Sequence, residues 1–274
     1  MSSVSSPSSE LPLAIWPSAQ RSTSQQRHDR YVAGSDRTGE LCPDVACRAI
    51  EVYSDTGDLV LDPLCGGGTT LVEAIGIDRD AIGIESDEHR VAAARANVRA
   101  ASGLHCAGRA YIAGGTLDAL PRLLATPAAR RAHRRRSEKV VQLPYGSADL
   151  VLTSAARRPR LTGAQLAELC RQSARVVKPD GFVVVVARAE RRNANVVAKT
   201  IQAAADAGLL FWQHVVALLV PIRAGRLAAD ERETLLAELD GICHEDVLVF
   251  RRPAQMAAAC SDAPLAAYAG GGRQ

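Results

Sequence analysis

Leu59-Val60-Leu61-Asp62-Pro63-Leu64-Cys65-Gly66-Gly67-Gly68-Thr69-Thr70 joins an apolar run, three glycines and a threonine pair in direct succession. A short apolar run bounded by Asp-Pro reads as a buried strand. Glycines after it let the backbone turn sharply and approach a ligand closely. The threonines open a helix over Thr69 to Ile77, whose first N–H groups lack intrahelical partners. Strand, glycine loop and helix together are the physics of a nucleotide-type cofactor crevice. The next strand, Ala81 to Glu85, ends in a carboxylate suited to accept hydrogen bonds from two ribose hydroxyls. A P-loop needs a Lys before its Ser or Thr, and none is here. The dinucleotide pattern G-x-G-x-x-G is also unmatched, because Gly68 is followed by Thr69-Thr70-Leu71. A glycine-rich loop that binds nothing is the plain alternative. The Asp62-Pro63 lead, the threonine pair and Glu85 weigh against it.

Strand-like and helix-like segments alternate on either side of this loop. A helix is expected over Asp44 to Tyr53, then a strand over Asp58 to Asp62. After the second strand come an Ala-rich helix from Asp87 to Ala101 and a weak third strand from Ala110 to Ala113. Asp149 to Thr153 is a fourth strand, and Thr162 to Val177 a helix with Thr162 as its N-cap. A turn at Lys178 to Gly181 precedes the uninterrupted apolar strand Phe182 to Ala187. A helix over Asn195 to Ala207 and strands over Phe211 to Val220 and Asp246 to Phe250 follow. This alternation implies a three-layer α/β sandwich with a mainly parallel sheet, the last two strands forming an antiparallel edge.

The chain has 274 residues and is 47% hydrophobic but only 4% aromatic, so Val, Leu, Ile and Ala must fill its core. Thirty-three Lys and Arg against 30 Asp and Glu give a net charge of +3, which excludes a histone-like polycation. No run of about 18 apolar residues exists and the first residues carry no apolar leader, so a cytoplasmic protein without a membrane segment is expected. Seven cysteines without a C-x-x-C pair read as reduced thiols, and no metal site is expected. Residues 1–26 read as a flexible tail whose apolar island at Leu11, Leu13, Ile15 and Trp16 is suited to dock on the body. Residues 27–252 form the expected domain, with a basic insertion at 126–146, and residues 253–274 a second tail.

Asp62 to Glu73 resembles the S-adenosylmethionine (SAM) motif of the amino-methyltransferases that modify adenine N6 or cytosine N4 in DNA. That family carries Asp-Pro-Phe-x-Gly-x-Gly-Thr-Thr; Leu64 stands here in place of Phe. The tRNA guanine N2-methyltransferases share much of the pattern. The resemblance spans roughly residues 37 to 252 and includes the ending His244-Glu245-Asp246-Val247-Leu248-Val249-Phe250. It implies the class I SAM-methyltransferase (Rossmann-like) fold with a mixed seven-stranded sheet, and SAM as cofactor. It also implies that Asp62, Gly66 and Gly68 line the methionine end of SAM, flanked by Leu64 and Thr69, with Glu85 on the ribose and Asp118 near the adenine.

After its fourth strand the family places Asp, Asn or Ser, then Pro-Pro and an aromatic. The polar side chain and the next carbonyl accept hydrogen bonds from the target NH2 and aim its lone pair at the methyl group, while the aromatic stacks on the flipped base. The matching residues here are Ser154-Ala155-Ala156-Arg157. Ser154 can accept one amine hydrogen bond, the Ala155 carbonyl is retained, and Arg157 can stack a guanidinium on a base. Alanine does not fix the loop as proline does. Upstream, Arg37-Thr38-Gly39-Glu40 stands where the family has His-Pro-Ala-Lys before a Pro-led helix. Three readings follow: an amino-methyltransferase acting on DNA or RNA, a relative that binds SAM or nucleic acid without catalysis, or a methyltransferase whose altered loop fits a small molecule or a protein.

Arg130, Arg131, His133, Arg134, Arg135, Arg136 and Lys139 form the densest charge run. With Arg157, Arg158 and Arg160 after the fourth strand, they would give a DNA or RNA backbone a basic rim at the carboxyl edge of the sheet. A solvated surface loop is the bland alternative. Nothing in the sequence bears on oligomeric state.

Overall fold

The computed structural model describes residues 13–18, 23–27, 30–32, 41–103, 107–117, 146–155, 161–188, 195–223, 225–227 and 243–254. The helices are α1 (Thr23–Arg27), α2 (Pro43–Tyr53), α3 (Thr69–Gly76), α4 (Glu88–Ser102), α5 (Gly163–Val176) and α6 (Val196–Asp206). The strands are β1 (Ile15–Trp16), β2 (Leu59–Asp62), β3 (Asp80–Glu85), β4 (Ala110–Gly114), β5 (Ala148–Ser154), β6 (Val177–Ala187), β7 (Leu210–Leu218), β8 (Ile222–Arg223), β9 (Arg226–Leu227) and β10 (His244–Arg251). One sheet runs β1-β7-β10-β6-β5-β2-β3-β4, and β8 pairs with β9 apart from it. Within the large sheet β10 is antiparallel to both its neighbours. The other pairings are parallel.

Alternation along each strand feeds two cores. Val60, Ala81, Leu150 and Leu152 join residues of α2, α3 and α4 on one face. Leu61, Ile82, Val151 and Val183 join α5 and α6 on the other. Where helices must start, polar side chains hold the free N–H groups: Asp87 accepts from Arg90 N, and Thr162 forms a reciprocal capping box with Gln165. At the far end of α5 the buried Arg252 guanidinium donates to the carbonyls of Val177 and Arg175, a cation on the negative end of the helix.

Two expectations are corrected. Among the described residues the large sheet has eight strands and not seven. The extra strand comes from the apolar island of the N-terminal stretch, which docks on the sheet: Ile15 and Trp16 pair with Val216 and Ala217, and Trp16 is buried with its ring 6.4 Å from that of Tyr53. Docking there satisfies backbone groups on the outer edge of β7. The expected turn at Lys178 to Gly181 is a bulge inside β6, because the register passes from Ala148↔Val177 to Leu150↔Phe182 and leaves Asp149 alone opposite it. Asp180 takes φ 64° there, and its N–H donates to Arg252 O at 2.9 Å. The last two long strands, β7 and β10, pair antiparallel at this side of the sheet as expected, with β10 set between β6 and β7. Among the described residues no helix is long and apolar enough to cross a membrane.

Candidate active site

The loop after β2 is shaped by its glycines. Gly66 and Gly68 take φ 53° and 87°, the left-handed region, and Gly68 caps α3. A Cβ on Gly68 would lie 3.1 Å from the Ala94 Cβ, so the loop rests directly on α4. From the strand side Gly83 leaves room for Cys65, whose Sγ would be 2.7 Å from any Cβ there. The loop then ties itself down: Cys65 N donates to Ile84 O at 2.9 Å and Gly68 N to Cys65 O at 2.8 Å. Asp62 is buried. Its Oδ1 accepts Leu64 N at 3.0 Å and its Oδ2 accepts the Thr70 hydroxyl at 2.6 Å.

Glu85 is also buried, and bridges the loop to the end of β3. Its Oε2 accepts Gly66 N at 3.1 Å, and its Oε1 accepts Ser86 N and Asp87 N at 2.8 and 3.1 Å. The turn after β4 closes on the same residue, with Gly115 N donating to Glu85 O at 2.9 Å.

Register brings the third element to the same place. Val60 pairs with both Leu150 and Ala81, and all three lie on the α2–α4 face. Asp62, Glu85 and Ser154 follow by even steps along β2, β3 and β5, so they project to that face from adjacent strands at the carboxyl edge. Ser154 pairs with Val186 on β6, and Ala155 N donates to Val186 O at 2.8 Å. Ala155 itself is held by this ladder hydrogen bond, which a proline could not make; Ala156 and Arg157 lie outside the described residues.

Sequence reasoning missed the group behind the loop. Arg27 Nη2 donates to Thr69 Oγ1 at 3.0 Å and to Leu41 O at 3.3 Å, so the Thr69 hydroxyl is engaged by the N-terminal segment. The carboxylate of Glu73, fully buried in α3, accepts Arg30 Nη1 at 2.6 Å and the Tyr31 hydroxyl at 2.7 Å. Burial pushes the Glu73 carboxyl up, against the pull of Arg30 and Tyr31. Gln26 Oε1 accepts the N–H of Asp44 at 3.0 Å at the start of α2. The available signal was Glu73 itself, an acid inside Leu71-Val72-Glu73-Ala74-Ile75 that has to find partners. A second buried pair, Arg188 with Glu245, stands at the carboxyl ends of β6 and the adjoining part of β10. The Cys42, Cys47 and Cys170 thiols are pushed up to about 12, chiefly by burial, so none of these three is an activated nucleophile.

Asp62, Leu64, Gly66, Gly68, Thr69, Glu85, Ser154 and Ala155 are thus described, and Asp62, Glu85 and Ser154 are brought to one face. Asp118, Arg157, Arg158 and the basic run Arg130, Arg131, Arg134, Arg135 and Arg136 lie outside the described residues. The cradle suits the methionine–ribose part of SAM: glycines where side chains would intrude, and carboxylates at both ends of the loop.

Residues 2–96, about a third of the chain, match the N6/N4-methyltransferase family described as DNA methylase. No curated protein sequence matches the chain. Among solved structures, TrmN from Thermus thermophilus is similar at TM-score 0.52 and 18% identity, covering 84% of this chain and 53% of TrmN. The chain therefore spans about half the length of that protein. A SAM-dependent methyltransferase from Methanosarcina mazei is similar at TM-score 0.51 and 13% identity, covering 75% of this chain and 97% of that one. Geranyl diphosphate C-methyltransferase from Streptomyces coelicolor A3(2) matches at TM-score 0.50 and 15% identity, over 86% of this chain and 93% of its own. The fold is that of class I SAM methyltransferases. In its sequence the chain resembles the DNA amino-methyltransferases. Of these three only the geranyl diphosphate methyltransferase is named for its acceptor, and likeness of fold selects no acceptor for this chain.

Proposed function

We propose that the chain is a SAM-dependent methyltransferase acting on an exocyclic amino group of a nucleic acid, adenine N6 or cytosine N4 in DNA, with RNA as the alternative acceptor. The observation that carries this reading is the alignment of Asp62, Glu85 and Ser154 on one face of three adjacent strands. The family match and the Ser154-Ala155 segment support the amine as target. When bound, SAM supplies a methyl group on a sulfonium sulfur. The carboxylate of Asp62, oriented by Thr70, holds the methionine end, and Glu85 offers its remaining lone pairs to the ribose hydroxyls. The Ser154 hydroxyl and the Ala155 carbonyl accept the two amine hydrogens, which localises the nitrogen lone pair and points it along the transfer path. The nitrogen sheds one proton to water after it has gained the methyl group, so no resident base is needed. Arg157 and the basic run supply charge for the phosphate backbone.

Calorimetry with SAM tests the first half, against a Gly66→Asp, Gly68→Asp control that fills the cradle with charge. Uptake of labelled methyl into DNA and into RNA tests the second. Binding lost in the control together with uptake into DNA is the expected result. Uptake into RNA alone reassigns the acceptor. SAM binding without uptake into either favours a binding protein. No SAM binding by folded wild type overturns the methyltransferase reading.

A further inference from the structure

Asn97 lies fully buried in α4, where an unpartnered amide would be costly. Both ends of its side chain are engaged. Nδ2 donates to Gly67 O at 2.9 Å, and Oδ1 accepts Val32 N at 2.9 Å. The partners fix the orientation of the amide, because a carbonyl can only accept and a backbone N–H can only donate. Gly67 stands between the two left-handed glycines and has no side chain by which it could be anchored. Its carbonyl is the handle. One turn earlier on α4, Ala94 is the residue on which Gly68 rests. Ala94 and Asn97 together form the floor of the loop, one by contact and the other by hydrogen bond. Val32 directly follows Arg30 and Tyr31, which are fastened to Glu73.

We propose that Asn97 is a positioning residue for the cofactor loop: its amide holds the Gly67 carbonyl on α4, with Val32 N fixing which way the amide faces, and thereby sets SAM affinity without touching SAM. The affinity half rests on the SAM reading given above, whereas the loop-positioning half does not.

Two variants test it. Asn97→Asp keeps the shape but sets a carboxylate oxygen against the Gly67 carbonyl. Asn97→Ala removes both hydrogen bonds without adding charge, and carries the test if the Asp variant does not fold. Glu73→Gln is the control, since it loosens the N-terminal segment and leaves the Asn97–Gly67 bond in place. Amide hydrogen exchange over residues 66–70 and SAM calorimetry are the readouts. In the Asn97 variants exchange should rise, and SAM affinity fall, by about tenfold, the scale of one buried hydrogen bond. Both readouts should stay within about twofold of wild type in Glu73→Gln. Unchanged loop exchange in folded Asn97→Ala overturns the proposal. So does an equal effect of Glu73→Gln, which would mean that the segment as a whole holds the loop. If wild type fails to bind SAM, the cofactor reading falls, and loop exchange alone still decides whether Asn97 positions the loop.

Discussion

The backbone N–H of Ala155 donates to the Val186 carbonyl at 2.8 Å, carrying the β5–β6 ladder one residue past Ser154. The family's proline at this position has no N–H, so the two sequences fix the same carbonyl by different means. Ala155→Pro should therefore lower stability, by about 1–2 kcal/mol, through the orphaned Val186 carbonyl. A urea midpoint equal to wild type would sink this account of the loop.

Gly83 is the back wall of the glycine loop. A methyl group there meets Cys65 Sγ at 2.7 Å and Leu71 Cδ1 at 2.9 Å. Gly83→Ala should cost about 1–3 kcal/mol by overpacking and weaken SAM binding by displacing the loop. Adding Cys65→Ala removes the closest contact and should restore part of both, read by thermal melting and calorimetry.

Burial raises the Glu245 carboxyl, only partly opposed by Arg188. A carboxyl whose folded pKa lies above its unfolded value of about 4.3 holds its proton longer in the native state. Its contribution is complete below that value and is lost as pH rises through the folded pKa. Glu245→Gln should abolish this loss, so the stability difference, variant minus wild type, should grow from pH 4 upward in urea titrations. A pH-independent difference would show that Glu245 does not titrate on folding.

Arg252 is buried with its guanidinium on the last carbonyls of α5. Arg252→Met keeps the bulk and removes the charge-assisted bonds. About 2 kcal/mol of stability should be lost, with SAM affinity unchanged because the site lies at the opposite edge of the sheet. Chemical denaturation and calorimetry on the same sample check both halves.

Local signals carried most of what was legible. The strand, loop, helix and strand from Leu59 to Glu85 were expected within a residue of where they lie, because apolar runs, glycines and caps act over a few positions. The placement of Asp62 and Glu85 at the ends of their strands was legible for the same reason. The β6 bulge was not: Lys178 to Gly181 has turn chemistry, but Asp180 N and Arg252 N exchange hydrogen bonds with Arg252 O and Gly181 O and keep the segment in the sheet. Strand β1 and the Arg27, Tyr31 and Asn97 contacts depend on partners far along the chain, as Ile15 on Val216 and Val32 on Asn97. In sequence, Asn97 looks like one more polar residue in an arginine-bearing helix. Only the fold turns it inward.

The position of β10 has a consequence for the order of assembly. During synthesis β7 leaves the ribosome before the strand that separates it from β6. Neighbours β2, β3 and β4 can pair as they emerge, but β7, and through it β1, has no seat in the sheet until His244–Arg251 has been made. The nascent chain therefore carries an open β6 edge until β10 has been made, and β1, although made before β2, is placed only after β10.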